Sequence, residues 1–205
     1  MAKYSIIIPA HNSAAYIYTA IRSVKMQHVT DYELIVVCDA CTDNTAQIAK
    51  WLADKVVIVN NHNDGLTRQA GMDVSSGDWI LFMDDDDRWL HEYVLDIVDQ
   101  YTTDDFDIIQ FGFIFGEDLV GPVNKIGGIW PNVWSKVWRS DWIKKFRWKE
   151  IERESDLYFS REAIPDARMC FVDTPIYKYN YMRQGSQTEI AARSETNEKP
   201  LQDRT

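Results

Sequence analysis

Short apolar runs, each followed by a stretch with helical spacing, recur through the first 115 residues of this 205-residue chain, and that alternation limits the fold most. Ser5-Ile6-Ile7-Ile8 is continuous rather than alternating, so it reads as a strand buried on both faces, ending at Pro9. Ile17, Ala20, Ile21 and Val24 then fall at i, i+3, i+4 and i+7, one face of a helix that Asn12 or Ser13 can cap. Glu33 to Val37 gives a second strand, Asp43 caps a helix through Ala53, and Lys55 to Val59 gives a third strand. Asn60 to Gly65 is a polar loop, Arg68 to Val74 a short helix closed by Ser75-Ser76-Gly77, and Trp79 to Met83 a fourth strand. A helix from His91 to Gln100 and a strand from Asp107 to Phe115 follow. Strands separated by helices predict an α/β fold with a mostly parallel sheet and crossover connections.

The pattern changes after Gly116. Glycine and proline punctuate Gly116 to Pro131, and Trp130, Trp134, Trp138 and Trp142 recur every four residues. Helical spacing returns around Ser140 to Phe146 and Glu154 to Ala163, and short strands are predicted at Met169 to Val172 and Ile176 to Tyr181. From residue 184 to 205 the chain is polar, which predicts a flexible tail. The expectation is one domain with a ligand-binding half (1–115), an irregular second half (116–183) and that tail.

Charge narrows the function classes. With 32 acidic residues against 22 Lys and Arg, the net charge is −10, which argues against a nucleic-acid binder that needs a basic face. No segment approaches the ~20 apolar residues of a membrane span. The residues before the first strand are too few for a signal-peptide core. Three cysteines make no disulfide framework, so a reduced, cytoplasmic protein is expected.

Four consecutive aspartates, Asp84 to Asp87, directly follow the apolar run Ile80-Leu81-Phe82-Met83. Carboxylates at the carboxyl edge of a parallel sheet lie where open α/β folds bind ligands. Packed like charges need a cation, and hard oxygen donors suit Mg2+ or Mn2+ on a phosphate-bearing substrate. The bland alternative is a solvated acidic turn ahead of the next helix. Asp39, just past the second strand, can accept a hydrogen bond from a nucleobase imide or a ribose hydroxyl. Cys38-x-x-Cys41 is only half of a zinc site and lacks a redox motif's flanking pattern. His28, His62 and His91 read as surface residues.

Together these segments resemble the family 2 glycosyltransferases of the GT-A fold. Ser5-Ile6-Ile7-Ile8-Pro9-Ala10-His11-Asn12 is similar to that family's opening strand, and Val37 to Thr45 to its "VDDGSTDNT" segment, with Cys38, Ala40 and Cys41 departing. Asn63-Asp64-Gly65 with Arg68 and Gly71 resembles a shortened N-x-G…R-N-x-G stretch, carrying Gln69 for the usual Asn. Gly77 to Asp87 resembles "GEYIAFLDSDD", and Ile176-Tyr177-Lys178-Tyr179 with Arg183-Gln184-Gly185-Ser186 resembles "LYYYR…GS". The resemblance covers residues 4 to about 188.

It implies an inverting transferase using a nucleoside diphosphate sugar, preferably a UDP-sugar, to build a polysaccharide or glycoconjugate. Asp39 would bind the base, with Pro9, His11 and Asn12 lining its pocket and Asp64 and Arg68 near the base or phosphates. Asp84 and Asp86 would form the D-x-D pair, Asp84 toward the ribose or a metal-bound water and Asp86 on the Mn2+ or Mg2+ ion. Asp85 replaces a smaller residue beside the nucleotide. Asp156, in Glu154-Ser155-Asp156, would be the base, with Glu154 the fallback and Ser155 replacing the usual Glu. A carboxylate at a helix start also has a purely structural use, through the helix dipole. Arg183 would help neutralise the diphosphate. Trp134 and Lys136, the latter in a segment resembling "NKLYR", would meet the carbohydrate acceptor, since aromatic faces stack on sugars. The alternatives are a nucleotidyltransferase, though Pro9-Ala10-His11-Asn12-Ser13 lacks a glycine-rich basic phosphate loop, and an inactive nucleotide- or sugar-binding module.

Overall fold

The computed structural model describes residues 2–122 and 128–180. Its elements run β1 (Tyr4–Ala10), α1 (Ile17–Lys25), β2 (Tyr32–Asp39), α2 (Thr45–Leu52), β3 (Lys55–Val59), α3 (Asp64–Val74), β4 (Trp79–Phe82), β5 (Arg88–Trp89), α4 (Val94–Asp99), β6 (Ile108–Phe115), β7 (Asp118–Val120), β8 (Lys136–Arg139), α5 (Ser140–Ile143), α6 (Ser155–Ala163) and β9 (Met169–Tyr179). Among the described residues the strands form one sheet of order β3-β2-β1-β4-β8-β6-β9-β5, with β7 beside β6. β1 to β4 pair in parallel, as the alternation predicts. β8 then enters antiparallel between β4 and β6, and β9 runs parallel to β6.

The continuous apolar run of β1 is buried along its whole length. Ile6 and Ile8 face a core with α1, α2 and α4, while Ile7 faces a second core with α3, α5 and α6. Gly71 sets how closely α3 approaches the sheet: a Cβ there would meet Ile7 Cγ2 at 2.4 Å. That close seat fixes the height at which Arg68, nearly one turn earlier, meets the sheet edge.

Several boundaries differ from the sequence expectation. α3 starts at Asp64 because the Asn63 side chain accepts the Leu66 N–H at 3.0 Å. α1 starts at Ile17 with no side-chain cap: the Asn12 side chain accepts the Thr42 N–H instead, and Ser13 donates its backbone N–H to the Thr45 hydroxyl while its own hydroxyl has no partner. α4 begins only at Val94. The tryptophan spacing is divided among three environments: Trp134 lies in a loop, Trp138 on β8 and Trp142 on α5. On β8, Val137 and Trp138 enter opposite cores, which is strand alternation. The two short strands expected near the end are one strand, β9, whose pairing shifts register opposite Gly112. Tyr181, Arg183 and the polar stretch 184–205 lie outside the described residues. Among the described residues no helix is long and apolar enough to cross a membrane.

Candidate active site

The turns after β1, β2 and β4 meet the starts of α3 and α6 at one edge of the sheet. Four non-glycine residues have left-handed backbones, Asn12 (φ 47°) and Ala40 (47°) in the turns after β1 and β2, and His62 (50°) and Glu154 (56°) just before α3 and α6. For Ala40, which has no polar side chain to bond its own backbone, this conformation costs about 1–2 kcal/mol. The neighbouring hydrogen bonds hold it there. Asn12 Oδ1 accepts the Thr42 N–H at 2.8 Å, the His11 ring Nδ1 lies 2.7 Å from the Asp39 carbonyl, and the Cys41 thiol donates to the Ala10 carbonyl at 3.4 Å. Pro9 is buried next to the end of β1, and the three cysteines are free thiols.

Asp39 organises the loop between β3 and α3. It is 4% exposed; Oδ1 accepts the backbone N–H groups of Asn61 (2.7 Å) and His62 (3.0 Å), and Oδ2 accepts Asn63 N–H (3.0 Å) and the Thr67 hydroxyl (2.9 Å). Burial alone raises its pKa, but these bonds outweigh burial and hold the carboxyl below its ordinary value. A carboxylate has about four acceptor positions, so Asp39 takes a bond from a base only by releasing one of these donors. That differs from the expectation of a carboxylate waiting for the base.

The four aspartates do four different things. Asp84 Oδ1 takes Arg68 Nη2 at 2.9 Å. Asp85 turns toward β1 and accepts the His11 N–H at 3.1 Å. Asp86 is half-buried on the wall of a cavity of about 450 Å³, shared with Tyr16, Arg88, Lys178 and Tyr179. Asp87 is buried, accepting the Tyr177 hydroxyl at 2.7 Å and Asn180 N–H at 2.6 Å, while Tyr177 in turn accepts the Asp84 N–H at 2.9 Å. Burial pushes Asp84 up to about 7; Arg68 pulls the other way, and Asp156 and Asp86 add to the rise. Burial, together with Asp84 and Asp86, also holds Asp87 well above the carboxylate range.

Arg68 gathers the carboxylates. The residue is 5% exposed, and its guanidinium lies 2.9 Å from Asp64, 2.9 Å from Asp84 and 3.7 Å from Asp156. Burial opposes its charge, and Asp156, Asp84 and Asp64 more than restore it, so it stays firmly cationic. Behind it the Trp148 ring lies 5.4 Å away and stacks on Phe159 at 4.1 Å. Gln69 accepts the Trp148 N–H at 3.0 Å. Asp156, in the first turn of α6, accepts the Val133 N–H on Oδ2 at 3.1 Å, while its buried Oδ1 has no hydrogen-bond donor. Ser155 is joined to the same group, its hydroxyl donating to Asp64 at 2.6 Å. Glu154, the fallback base, is exposed and caps α6 in the left-handed conformation.

The expected acceptor residues sit differently from the sequence reading. Lys136 is 1% exposed, its ammonium on the carbonyls of Trp130 and Asn132 at 2.5 Å, and burial lowers its pKa to about 7. It braces the loop that carries Val133 rather than facing a ligand. Trp134, partly buried, stacks on Tyr177 at 4.5 Å and Tyr179 at 5.4 Å, buttressing the tyrosine that ties Asp84 to Asp87. Sequence reasoning missed His62 and Asn61, whose contributions are backbone N–H groups, and Ser155, Tyr177 and Val133. Ser155 left a signal as a departure from its motif, and Tyr177 as a member of the Ile176-Tyr177-Lys178-Tyr179 segment, with nothing to mark its part in the site.

A family model described as glycosyl transferase family 2 matches residues 5–163. An uncharacterized glycosyltransferase of Haemophilus influenzae is 29% identical over 147 residues, covering 61% of this chain and 50% of that protein. The crystal structure of Staphylococcus aureus TarS 1–349 in complex with UDP-GlcNAc superposes with TM-score 0.77 at 22% identity, over 91% of this chain and 60% of that one. Glucosyl-3-phosphoglycerate synthase from Mycobacterium tuberculosis, in complex with Mn2+, UDP and glucosyl-3-phosphoglycerate, gives a TM-score of 0.64 at 15% identity, over 95% and 76%. These likenesses show a shared GT-A fold. The chain spans half or less of the first curated relatives it matches, at 50%, 33% and 34% of their lengths.

Proposed function

The chain belongs to glycosyl transferase family 2, and on that premise we propose that this domain moves a sugar from a nucleoside diphosphate sugar to an acceptor hydroxyl, inverting the anomeric carbon. The observation that carries the reading is the meeting of Asp64, Asp84 and Asp156 on one buried arginine at the ligand edge of a parallel sheet. The solved neighbours' complexes with UDP-GlcNAc, and with UDP and Mn2+, support a UDP-sugar and a divalent ion.

The base and ribose rest on the loops around Asp39: Pro9, His11 and Asn12 on one side, Asn61 to Asp64 on the other. Among the described residues no three His, Cys, Asp or Glu groups stand together as a cage for an ion. Mg2+ and Mn2+ on a diphosphate need no cage, since one or two carboxylates plus phosphate and water complete the shell. Asp84 and Asp86 fit that need: both are hard oxygen donors, and burial, with Asp156 and Asp86 nearby, disfavours a bare charge on Asp84 even with Arg68 beside it, which a cation would relieve. When bound, the ion neutralises charge on the departing diphosphate.

Asp156 takes the proton of the acceptor hydroxyl as the new bond to the anomeric carbon forms. Its Val133 hydrogen bond fixes the carboxylate, and no donor occupies the Oδ1 lone pairs that would accept that proton. Attack from the face opposite the diphosphate inverts the centre, and the nucleoside diphosphate leaves with the bonding pair. The product is a polysaccharide or glycoconjugate.

The test is a thermal-shift series with UDP, GDP and their sugars, each with and without Mn2+, followed by transfer assays with the donors that bind. A ligand at 100 times its Kd adds about 2.7 kcal/mol, or roughly 5–10 °C in a chain this long. A Mn2+-dependent UDP shift is expected. No shift with any nucleotide overturns the reading.

A further inference from the structure

We propose that Arg68 is a resident counter-cation that occupies the metal-binding carboxylate Asp84 until a nucleoside diphosphate arrives, so that the divalent ion binds together with the nucleotide and only weakly alone. This rests on the donor-site reading above.

Asp84 Oδ1, one of the two oxygens this carboxylate offers an incoming ion, is already engaged by Arg68 Nη2 at 2.9 Å, while Nη1 lies 2.9 Å from Asp64 and 3.7 Å from Asp156. The planar guanidinium fork spans the two aspartates at once, which a point charge cannot do. A bare Mn2+ therefore competes with a formed, largely buried ion pair. Breaking such a pair leaves a desolvated charge without its partner, a severe penalty. A diphosphate removes that penalty, because its oxygens take over the guanidinium that Asp84 gives up. The Arg68 Nε–H points the same way: it is buried with no acceptor, a donor that a shift of the guanidinium toward an incoming anion would satisfy. The Ser155 hydroxyl on Asp64 and the Val133 N–H on Asp156 hold the two remaining carboxylates in place while Arg68 changes partners.

The experiment is a Mn2+ titration at pH 8 read by the EPR signal of free Mn2+, with and without UDP, on the wild type, Arg68→Met and Arg68→Lys. Without nucleotide, Arg68→Met is expected to bind Mn2+ at least about tenfold more tightly than the wild type, and Asp84→Asn added to it to abolish the gain. Arg68→Lys, whose ammonium cannot serve both Asp64 and Asp84, falls between them. UDP is expected to tighten Mn2+ binding strongly in the wild type. Equal or weaker Mn2+ binding by a cooperatively melting Arg68→Met overturns the proposal. Should that variant not fold, the same comparison with Arg68→Lys decides. Failure of the wild type to bind UDP with Mn2+ has a different meaning: it refutes the donor-site reading on which the proposal stands.

Discussion

Asp39→Asn separates a loop organiser from a residue that only touches a ligand. In the wild type the carboxylate accepts three backbone N–H groups and shares the Thr67 proton with the Asn63 carbonyl. Asparagine keeps the shape. With its oxygen toward Asn61 and His62, its NH2 faces the Asn63 N–H, and Thr67 turns to donate only to the Asn63 carbonyl. The lost and opposed bond costs about 1–3 kcal/mol, and the two surviving bonds lose about 1 kcal/mol each as a charged acceptor becomes neutral. The total, about 3–5 kcal/mol, is a large part of a typical stability of about 5–15 kcal/mol. At this chain length it lowers Tm by roughly 10 °C. Because the folded pKa is held below the unfolded one, the contribution is complete above the unfolded pKa and fades as pH falls through the folded value. The assay is circular-dichroism melting at pH 7 and pH 3, with the gap between variant and wild type narrowing in acid. A variant that melts within about 2 °C of the wild type at pH 7 and yet fails to bind nucleotide refutes this reasoning, since Asp39 would then act on the ligand alone.

Asp156→Asn should lower transfer by about 10²–10⁴-fold while nucleotide binding and Tm hold, because it removes the proton acceptor and keeps the Val133 contact; loss of donor binding in calorimetry would refute its role as base. Ala40→Gly should raise stability by about 0.5–1 kcal/mol by relieving the left-handed alanine, read by urea denaturation; destabilisation would show that the methyl group packs usefully. Glu33 accepts from Lys55, Ser5 and Ser76; burial opposes its charge, yet these partners bring its pKa down to about 2. Its stabilisation, about 3 kcal/mol, is full above the unfolded pKa near 4.5 and lost as pH falls toward 2. Glu33→Gln should remove it at pH 7 and flatten the acid limb of a stability-against-pH curve; an unchanged limb would refute the assignment.

The parallel half of the fold was legible because its strands are continuous apolar runs and its helices keep a 3.6-residue stripe. The β8 insertion was hidden by a tryptophan spacing that suits a helix, although Val137 and Trp138 in fact divide between two cores. Arg68 could be named from its motif, but not as the hub of three carboxylates, because that depends on α6 returning beside α3. Lys136 read as a ligand-facing cation because sequence cannot show that two carbonyls lie within reach of its ammonium. Asp39 marked the right turn; that its partners are backbone N–H groups of another loop leaves no trace in residue identity.

The antiparallel insertion of β8 also bears on how the chain reaches its native state. During synthesis β1 to β4 emerge as a run that can pair locally, yet the far edge of β4 stays bare until Trp79 meets Arg139, 60 residues later. Over that interval a short, apolar strand offers unpaired amides to any neighbouring chain. The same closure places α6, and with it Asp156, against α3 only after the long-range pairing has formed. Nascent chains stalled between residues 90 and 135 should therefore be the most aggregation-prone and the last to gain protease resistance, whatever ligand is supplied.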